Sequence, residues 1–91
     1  MTGPVEITVS GTPNPNAMKL TLNRMVSNQG KTYRDAATAG EPWAKALLAI
    51  PGIIGVFAIT NFISVTKAPE AAWEAILPLA EQALKQVFQQ D

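Results

Sequence analysis

The side chains of this chain that could do chemistry are mostly carboxylates. The 91-residue sequence contains neither cysteine nor histidine, so it lacks the thiolate and imidazole groups that bind most transition metals. Glu70 and Glu74 are four residues apart and would share one helix face, with Glu81 one turn further round and Asp35 at an unknown distance. A solvated helix face is the simpler interpretation, because carboxylates without softer ligands bind such metals weakly and unselectively. We therefore assign no metal ligand and predict no cofactor bound through cysteine or histidine, while iron binding by carboxylates stays open but unsupported.

Enzymatic chemistry has less support still. Without cysteine or histidine there is no thiolate nucleophile, no Ser-His-Asp triad and no imidazole acid-base pair. The seven acids are scattered along the chain instead of forming a recognisable glycosidase-like pair. A glycine-rich loop that would cradle a phosphate is also missing. We predict that the chain is not an enzyme and assign no catalytic residue.

Length and composition predict a single domain spanning residues 1–91. With 47% apolar residues the chain can bury a core without disulfides, but it is too short for a second domain. Seven basic and seven acidic side chains cancel, so no strong field favours nucleic acid or an anionic membrane as a partner. No apolar run approaches the roughly 20 residues of a membrane span, and residues 1–6 do not resemble a signal peptide. These features predict a cytoplasmic protein.

The first half of the chain shows the alternation of half-buried strands. Residues 5–10 and residues 18–23 each alternate apolar and polar side chains, which predicts two strands joined by the loop at 12–16. Residues 31–33 allow a short third strand or an extension of the sheet edge. This part of the sequence therefore predicts an antiparallel pair with an optional third member.

Two helical patterns follow, and they fix the fold class. A first helix opens at Pro42 and is stopped by Pro51-Gly52, whereas residues 70–90 predict a second helix that bends or breaks at Pro78. The apolar stripe of each helix begins at a tryptophan that we expect to anchor the core, Trp43 and Trp73. With a hairpin between the helices, the order is ββ(β)αββα. We predict an α+β two-layer sandwich, in which an antiparallel sheet carries both helices on one face.

The hairpin between the helices determines which side chains are left over for function. Residues 53–59 and 62–67 flank a turn at Thr60-Asn61, which pairs Val56 with Val65, Ala58 with Ile63, Phe57 with Ser64, and Ile59 with Phe62. We assign the aliphatic side of this hairpin to the helix-covered core: Ile54, Val56, Ala58, Ile63 and Val65.

The opposite side of the hairpin is the first candidate binding surface. It carries Phe57, Ile59 and Phe62, which would form an apolar patch for a partner protein if the helices do not reach them. The alternative is that the segment 24–39 folds over the three side chains and makes them a satellite core. The sequence alone leaves both arrangements open.

The polar loop at residues 12–16 is the second candidate surface. Asn14 and Asn16 each sit beside proline, so their simplest role is to satisfy backbone groups of the turn, and recognition of a partner's backbone is the alternative. Lys19, close to this loop, and Lys67, at the end of the last strand, would then contribute to the rim of a docking surface. Discouraging strand pairing at an edge is the other explanation for these lysines.

Several stretches together resemble one known family, the Nfu/NifU N-terminal domain. They are TPNPNAMK at residues 12–19, PWA at 42–44, IPGIIGVF at 50–57 and FISVTK at 62–67, followed by Trp73. The likeness covers roughly residues 5–90. In the larger members of this family, a second domain with a Cys-x-x-Cys pair holds an iron-sulfur cluster. We expect no such cluster-binding domain here, because the chain contains no cysteine.

The resemblance implies a non-enzymatic accessory module of iron-sulfur cluster assembly or delivery that acts on partner proteins. Those partners would be assembly proteins or proteins that receive a cluster. A weak iron-binding protein that uses carboxylates is the alternative, and a small enzyme of unknown class is a further one. A homodimer formed through the apolar side or a sheet edge is compatible with the composition.

Overall fold

An antiparallel sheet covered on one face by two helices makes up the described part of the chain. The computed structural model describes residues 5–88. The elements follow one another as β1 (Ile7–Gly11), β2 (Ala17–Leu22), β3 (Ser27–Tyr33), α1 (Pro42–Leu48), β4 (Ile53–Thr60), β5 (Phe62–Lys67) and α2 (Trp73–Phe88). The strand order is β1-β2-β5-β4-β3, with every neighbouring pair antiparallel. The predicted α+β sandwich is confirmed, and the optional third strand is a full edge strand.

The hairpin of β4 and β5 has the register predicted from the sequence. Val56 pairs with Val65 and Phe57 pairs with Ser64, so the two sides of the hairpin are the ones expected. Thr60 adopts a positive φ of 53° in the turn. The backbone N–H of Leu22 donates to the Asn61 carbonyl at 2.7 Å, which ties this turn to the end of β2.

One core lies between the sheet and the helices. Trp43 is only 2% exposed, which confirms it as an anchor, whereas Trp73 packs against the core but stays half-buried. The centre of the core is formed by Leu20, Leu22, Trp43, Ala44, Leu47, Val56, Ala58, Ile63, Val65, Ile76, Ala80 and Leu84. Burial of this aliphatic surface supplies the main stabilising free energy of the fold.

Ile54 does not belong to this core, and its assignment to the helix-covered side was wrong. The side chain is 51% exposed, whereas its neighbour Ile53 is 7% exposed. Ile53 pairs with Lys67 and Gly55 pairs with Thr66, so Ile54 is the extra residue of a β-bulge. A bulge shifts the alternation by one residue. Ile53 therefore takes the core position, and Ile54 points away from the helices.

The second helix also differs from the prediction. It begins at Trp73 instead of Glu70, and of the bend or break predicted at Pro78 the break is absent, because one helix runs from Trp73 to Phe88. Proline removes the amide donor that would pair with the carbonyl of Glu74. Both Pro78 and Glu74 are exposed, so water can bond this carbonyl and the helix can continue. The predicted end of the helix at residue 90 lies outside the described residues.

Gly52 makes the turn between α1 and β4 possible. Its φ is +102°, and a Cβ built there would lie 2.9 Å from the Cβ of Ala71 and 3.1 Å from Cδ1 of Ile76. The Gly52 carbonyl also accepts a hydrogen bond from the backbone N–H of Ala68 at 2.8 Å. Any other residue would meet both an unfavourable backbone conformation and a steric clash at this position.

We predict that Gly52→Ala lowers the free energy of unfolding by about 1–3 kcal/mol, because the strained backbone angle and the contact with Ala71 add to each other. Urea unfolding followed by circular dichroism measures this difference. Gly40→Ala is the control, since a Cβ there meets no atom within 4 Å and should change stability by less than about 0.5 kcal/mol. Equal losses in the two variants would contradict the prediction.

Candidate functional site

The sheet face opposite the helices is the candidate site, and we call it the open face. Strand pairing places Lys19, Ser64, Phe57 and Thr32 in one row across β2, β5, β4 and β3. The neighbouring row contains Thr21, Phe62 and Ile59. By this register the open face consists of Thr8, Ser10, Ala17, Lys19, Thr21, Thr32, Gly55, Phe57, Ile59, Phe62, Ser64 and Thr66.

An aromatic cluster occupies the centre of the open face. The ring centroids of Phe57 and Phe62 are 6.4 Å apart with an interplanar angle of 55°. The ammonium of Lys19 lies 4.6 Å from the Phe62 centroid, within the range of a cation-π interaction. Phe57, Ile59 and Phe62 are each half-buried, and Lys19 is exposed. The structure therefore brings together these four residues of the predicted binding set.

The described part of the chain leaves this cluster without a covering element. The buried residues of both helices belong to the core on the other side of the sheet. The segment that could have folded over the phenylalanines instead forms β3 and pairs with β4. The connection after β3 turns toward the helices, since Ala39 is buried in their core. Of the two arrangements left open by the sequence, the structure has the one with an open apolar side.

A depression lies beside the cluster, with a volume of about 410 Å³. Gly55 lines it without a side chain, and a Cβ built there would lie 3.8 Å from Cγ of Arg34. Its lining residues are Thr32, Arg34, Ile54, Gly55, Val56, Phe57, Ser64 and Thr66. Arg34 was not among the predicted binding residues, although alternation with Thr32 places it on this side of the strand. Ile54 gave no such signal, because the bulge reverses its direction.

Asn14, Asn16 and Lys67 lie away from the open face, at one end of the sheet. Asn14 acts within the loop: its Oδ1 accepts from the backbone N–H of Asn16 at 2.9 Å. The Oδ1 of Asn16 accepts from the Lys67 ammonium at 3.0 Å. Lys67 is only 7% exposed, so the structure does not place it at the rim of a docking surface. In this structure the three side chains join parts of the fold to one another.

The Lys67 ammonium uses all three of its donors within the protein. Besides Asn16, it donates to the carbonyls of Ala68 at 3.3 Å and Pro69 at 3.4 Å, and it lies 5.9 Å from the ring centroid of Trp73. We call these contacts the Lys67 clamp. The Trp73 indole N–H donates to the Pro15 carbonyl at 3.0 Å and attaches the same loop to the start of α2.

We predict that Lys67→Met lowers the free energy of unfolding by about 1–3 kcal/mol, because the Asn16 amide oxygen and two carbonyls lose their donor. Urea unfolding measures the change. Lys45→Met is the matched control, since Lys45 is exposed on α1 and should change stability by less than about 0.5 kcal/mol. A loss no greater than that of the control would show that the clamp contributes nothing to stability.

The carboxylates do not form a cluster in the described structure. Among residues 5–88, no three acidic side chains lie close enough together to hold a metal ion. Glu70 precedes α2, whereas Glu74 lies in its first turn. The prediction that the two share a helix face was therefore wrong.

Within residues 5–88, neither helix has the length and apolar character to cross a membrane.

Comparison with solved structures identifies proteins similar over nearly the whole chain. A Staphylococcus aureus protein of known crystal structure is 31% identical, with a TM-score of 0.79 over 90% of this chain and 99% of that one. A NifU-like protein from Saccharomyces cerevisiae is 18% identical, with a TM-score of 0.81 over 91% of this chain and 77% of that one. The second likeness shows that the fold is shared.

Comparison with curated sequences identifies longer relatives. The chain is 38% identical over 71 residues to conserved virulence factor C of Staphylococcus aureus. The aligned region covers 77% of this chain and 19% of that protein. The corresponding protein of Staphylococcus haemolyticus is 34% identical over the same coverage. The chain thus spans about a fifth of the length of these relatives.

The family assignment rests on a match that covers most of the chain. A family profile described as scaffold protein Nfu/NifU N terminal matches residues 7–91. The match extends from the first strand through the second helix, and the fold agrees with the NifU-like structure. The chain belongs to the Nfu/NifU N-terminal family.

Proposed function

We propose that this domain is a non-enzymatic module that binds carrier or recipient proteins in iron-sulfur cluster assembly through its open face. The family supports a role related to iron-sulfur clusters. The absence of cysteine and histidine supports binding of partner proteins over ligation of a cluster, since clusters are held by thiolates and occasionally by imidazoles. The cluster in this proposal is cargo that another protein holds.

The observation that carries the proposal is the aromatic cluster on the open face. Phe57, Ile59 and Phe62 are contiguous there, and exposed Ile54 extends their apolar surface toward the depression. The three side chains are half-buried and Ile54 is exposed, and a contiguous apolar patch that remains accessible on a small protein is characteristic of an interaction surface. Phenylalanine is also enriched at protein interfaces, where it contributes large buried area.

The polar surroundings of the cluster support binding of another protein as well. Lys19 lies beside it, and Ser64, Thr66 and Thr21 provide hydroxyl groups around it. An apolar centre with a polar rim is the usual composition of an interface between proteins that also exist separately. Asn14, Asn16 and Lys67 are not part of this surface, because their hydrogen bonds stabilise the loop and the strand end.

We predict that the double substitution Phe57→Ser/Phe62→Ser abolishes capture of partner proteins from a lysate of the source organism, with mass spectrometry as the readout. The wild-type domain should recover cysteine-bearing assembly proteins or cluster-containing enzymes. Loss of the two rings removes the apolar centre of the surface, and truncating central interface residues of this kind costs about 2 kcal/mol or more of binding free energy.

The matched control for this capture is Leu79→Ser. Leu79 is 47% exposed on α2, so the substitution removes an exposed apolar side chain from the helical side and should leave capture unchanged. Circular dichroism of each variant verifies that the fold is retained. Equal recovery by wild type and double variant, with both folded, would contradict binding through the open face.

A second copy of the chain is the competing occupant of the open face. Size-exclusion chromatography of the wild type and the double variant at several concentrations separates the two cases. A dimer that is lost on Phe57→Ser/Phe62→Ser would assign the face to self-association.

A further inference from the structure

Two cations flank the aromatic cluster of the open face on opposite sides. Lys19 lies on β2, and Arg34 follows the last residue of β3. Because β5 and β4 lie between β2 and β3, the two positions are separated by three strand spacings, or roughly 14 Å. Phe57 and Phe62 occupy the two strands between them. Across the strands, the open face therefore presents Lys19, then the apolar centre, then Arg34.

The side chain of Arg34 borders the depression at Gly55. A Cβ built on Gly55 would lie 3.8 Å from Cγ of Arg34, so the arginine stem borders the space left by the glycine. Thr32, Ser64 and Thr66 line the same depression and provide hydroxyl groups beside the guanidinium. A guanidinium with several hydroxyl donors is suited to a carboxylate, which accepts charge-assisted hydrogen bonds.

The acidic side chains of residues 5–88 leave Lys19 and Arg34 available to bind a ligand. Glu41, Glu70, Glu74 and Glu81 lie on the helices or their connections. Asp35 follows Arg34, but its carboxylate accepts from the backbone N–H of Ala37 at 3.0 Å and closes the turn after β3. Glu6 precedes β1, opposite Asn23 and two rows away from the row of Lys19. The charge of the open face itself is thus positive.

The distance between the cations matches a short extended peptide. Four steps along an extended chain cover roughly 13 Å, and the first, third and fifth side chains point to the same side. Arg34 lies one row further along the strands than Lys19, an offset of roughly 7 Å that the long side chains of lysine and arginine can span. The spacing therefore fits acidic residues at the first and fifth positions and an apolar residue at the third.

We propose that the open face binds an extended segment of a partner protein with the pattern acid-x-apolar-x-acid, which crosses the strands between β3 and β2. One carboxylate occupies the depression beside Arg34, the central apolar side chain packs on Phe57 and Phe62, and the other carboxylate pairs with Lys19. This inference rests on the proposed function and specifies the chemistry of the partner that the face selects.

Three blocked peptides test the pattern. The first, acetyl-Glu-Thr-Phe-Thr-Glu-amide, has the proposed spacing; the second, acetyl-Thr-Glu-Phe-Glu-Thr-amide, has the same composition with the acids displaced; the third replaces both acids by glutamine. Each is titrated into ¹⁵N-labelled protein, with the backbone amide signals as the readout. We expect the first peptide to shift the signals of Gly55, Phe57 and Thr66, and to bind about tenfold or more tightly than the other two.

Substitutions on the protein test the two ends of the site. Arg34→Gln and Gly55→Val should each lower the affinity for the first peptide by about tenfold. The first substitution removes the guanidinium, and the second fills the depression. Valine at position 55 should be tolerated, since its Cβ would make only ordinary contacts of 3.8 Å and 3.9 Å. Lys45→Gln, which removes an exposed cation from α1, is the control and should not change the affinity.

Several outcomes would overturn the inference. These are equal binding of the three peptides, no measurable binding of the first one, shifts confined to another surface, or an unchanged affinity in Arg34→Gln. Amide shifts that depend on protein concentration without peptide would assign the face to a second copy of the chain and also overturn it. When only the peptide results fail, the capture experiment with Phe57→Ser/Phe62→Ser still decides the proposed function, because it requires the apolar centre and not the acidic pattern.

Discussion

The register between β4 and β5 is the constraint on which the rest of the structure depends. These strands are neighbours in the sheet, and each also pairs with a flanking strand, β5 with β2 and β4 with β3. A slip of one residue would exchange the two sides of the hairpin. It would put the aromatic rings under the helices and the aliphatic core in water. The turn at Thr60 and Asn61 is held by hydrogen bonds from Val26 and Leu22, so the flanking strands help to fix this register.

The Lys67 clamp stabilises the end of the sheet where three segments meet. It joins the last residue of β5 to the asparagine loop and to the connection before α2, while Trp73 bonds the same loop from the helix. Each N–H of the buried Lys67 ammonium has an oxygen acceptor. These acceptors are an amide oxygen and two carbonyls, so the hydrogen bonds are satisfied without a carboxylate. In this chain Asn14 and Asn16 make hydrogen bonds within the loop and to Lys67.

The open face owes its apolar character to what the fold leaves uncovered. Both helices are used on the other side of the sheet, so the aromatic cluster is shielded mainly by its own side chains and by Lys19. The bulge at Ile54 adds an apolar side chain to this side, and Gly55 leaves space beside Arg34. The proposed recognition of other proteins needs no cysteine or histidine in this domain, since it ligates no cluster itself.

The sequence by itself determined the order of the elements, the fold class, the pairing within the hairpin and the family, because alternation, turn residues and helix breakers act locally. It also excluded cysteine and histidine ligands. Only the tertiary structure decided that the side with Phe57 and Phe62 is open, that Ile54 turns outward, and that Lys67 is buried. Each of these depends on contacts between distant segments: where β3 pairs, how a bulge is accommodated against β5, and which loop meets the strand end. Local propensity carries no information about such contacts, since they are set by packing of the whole chain.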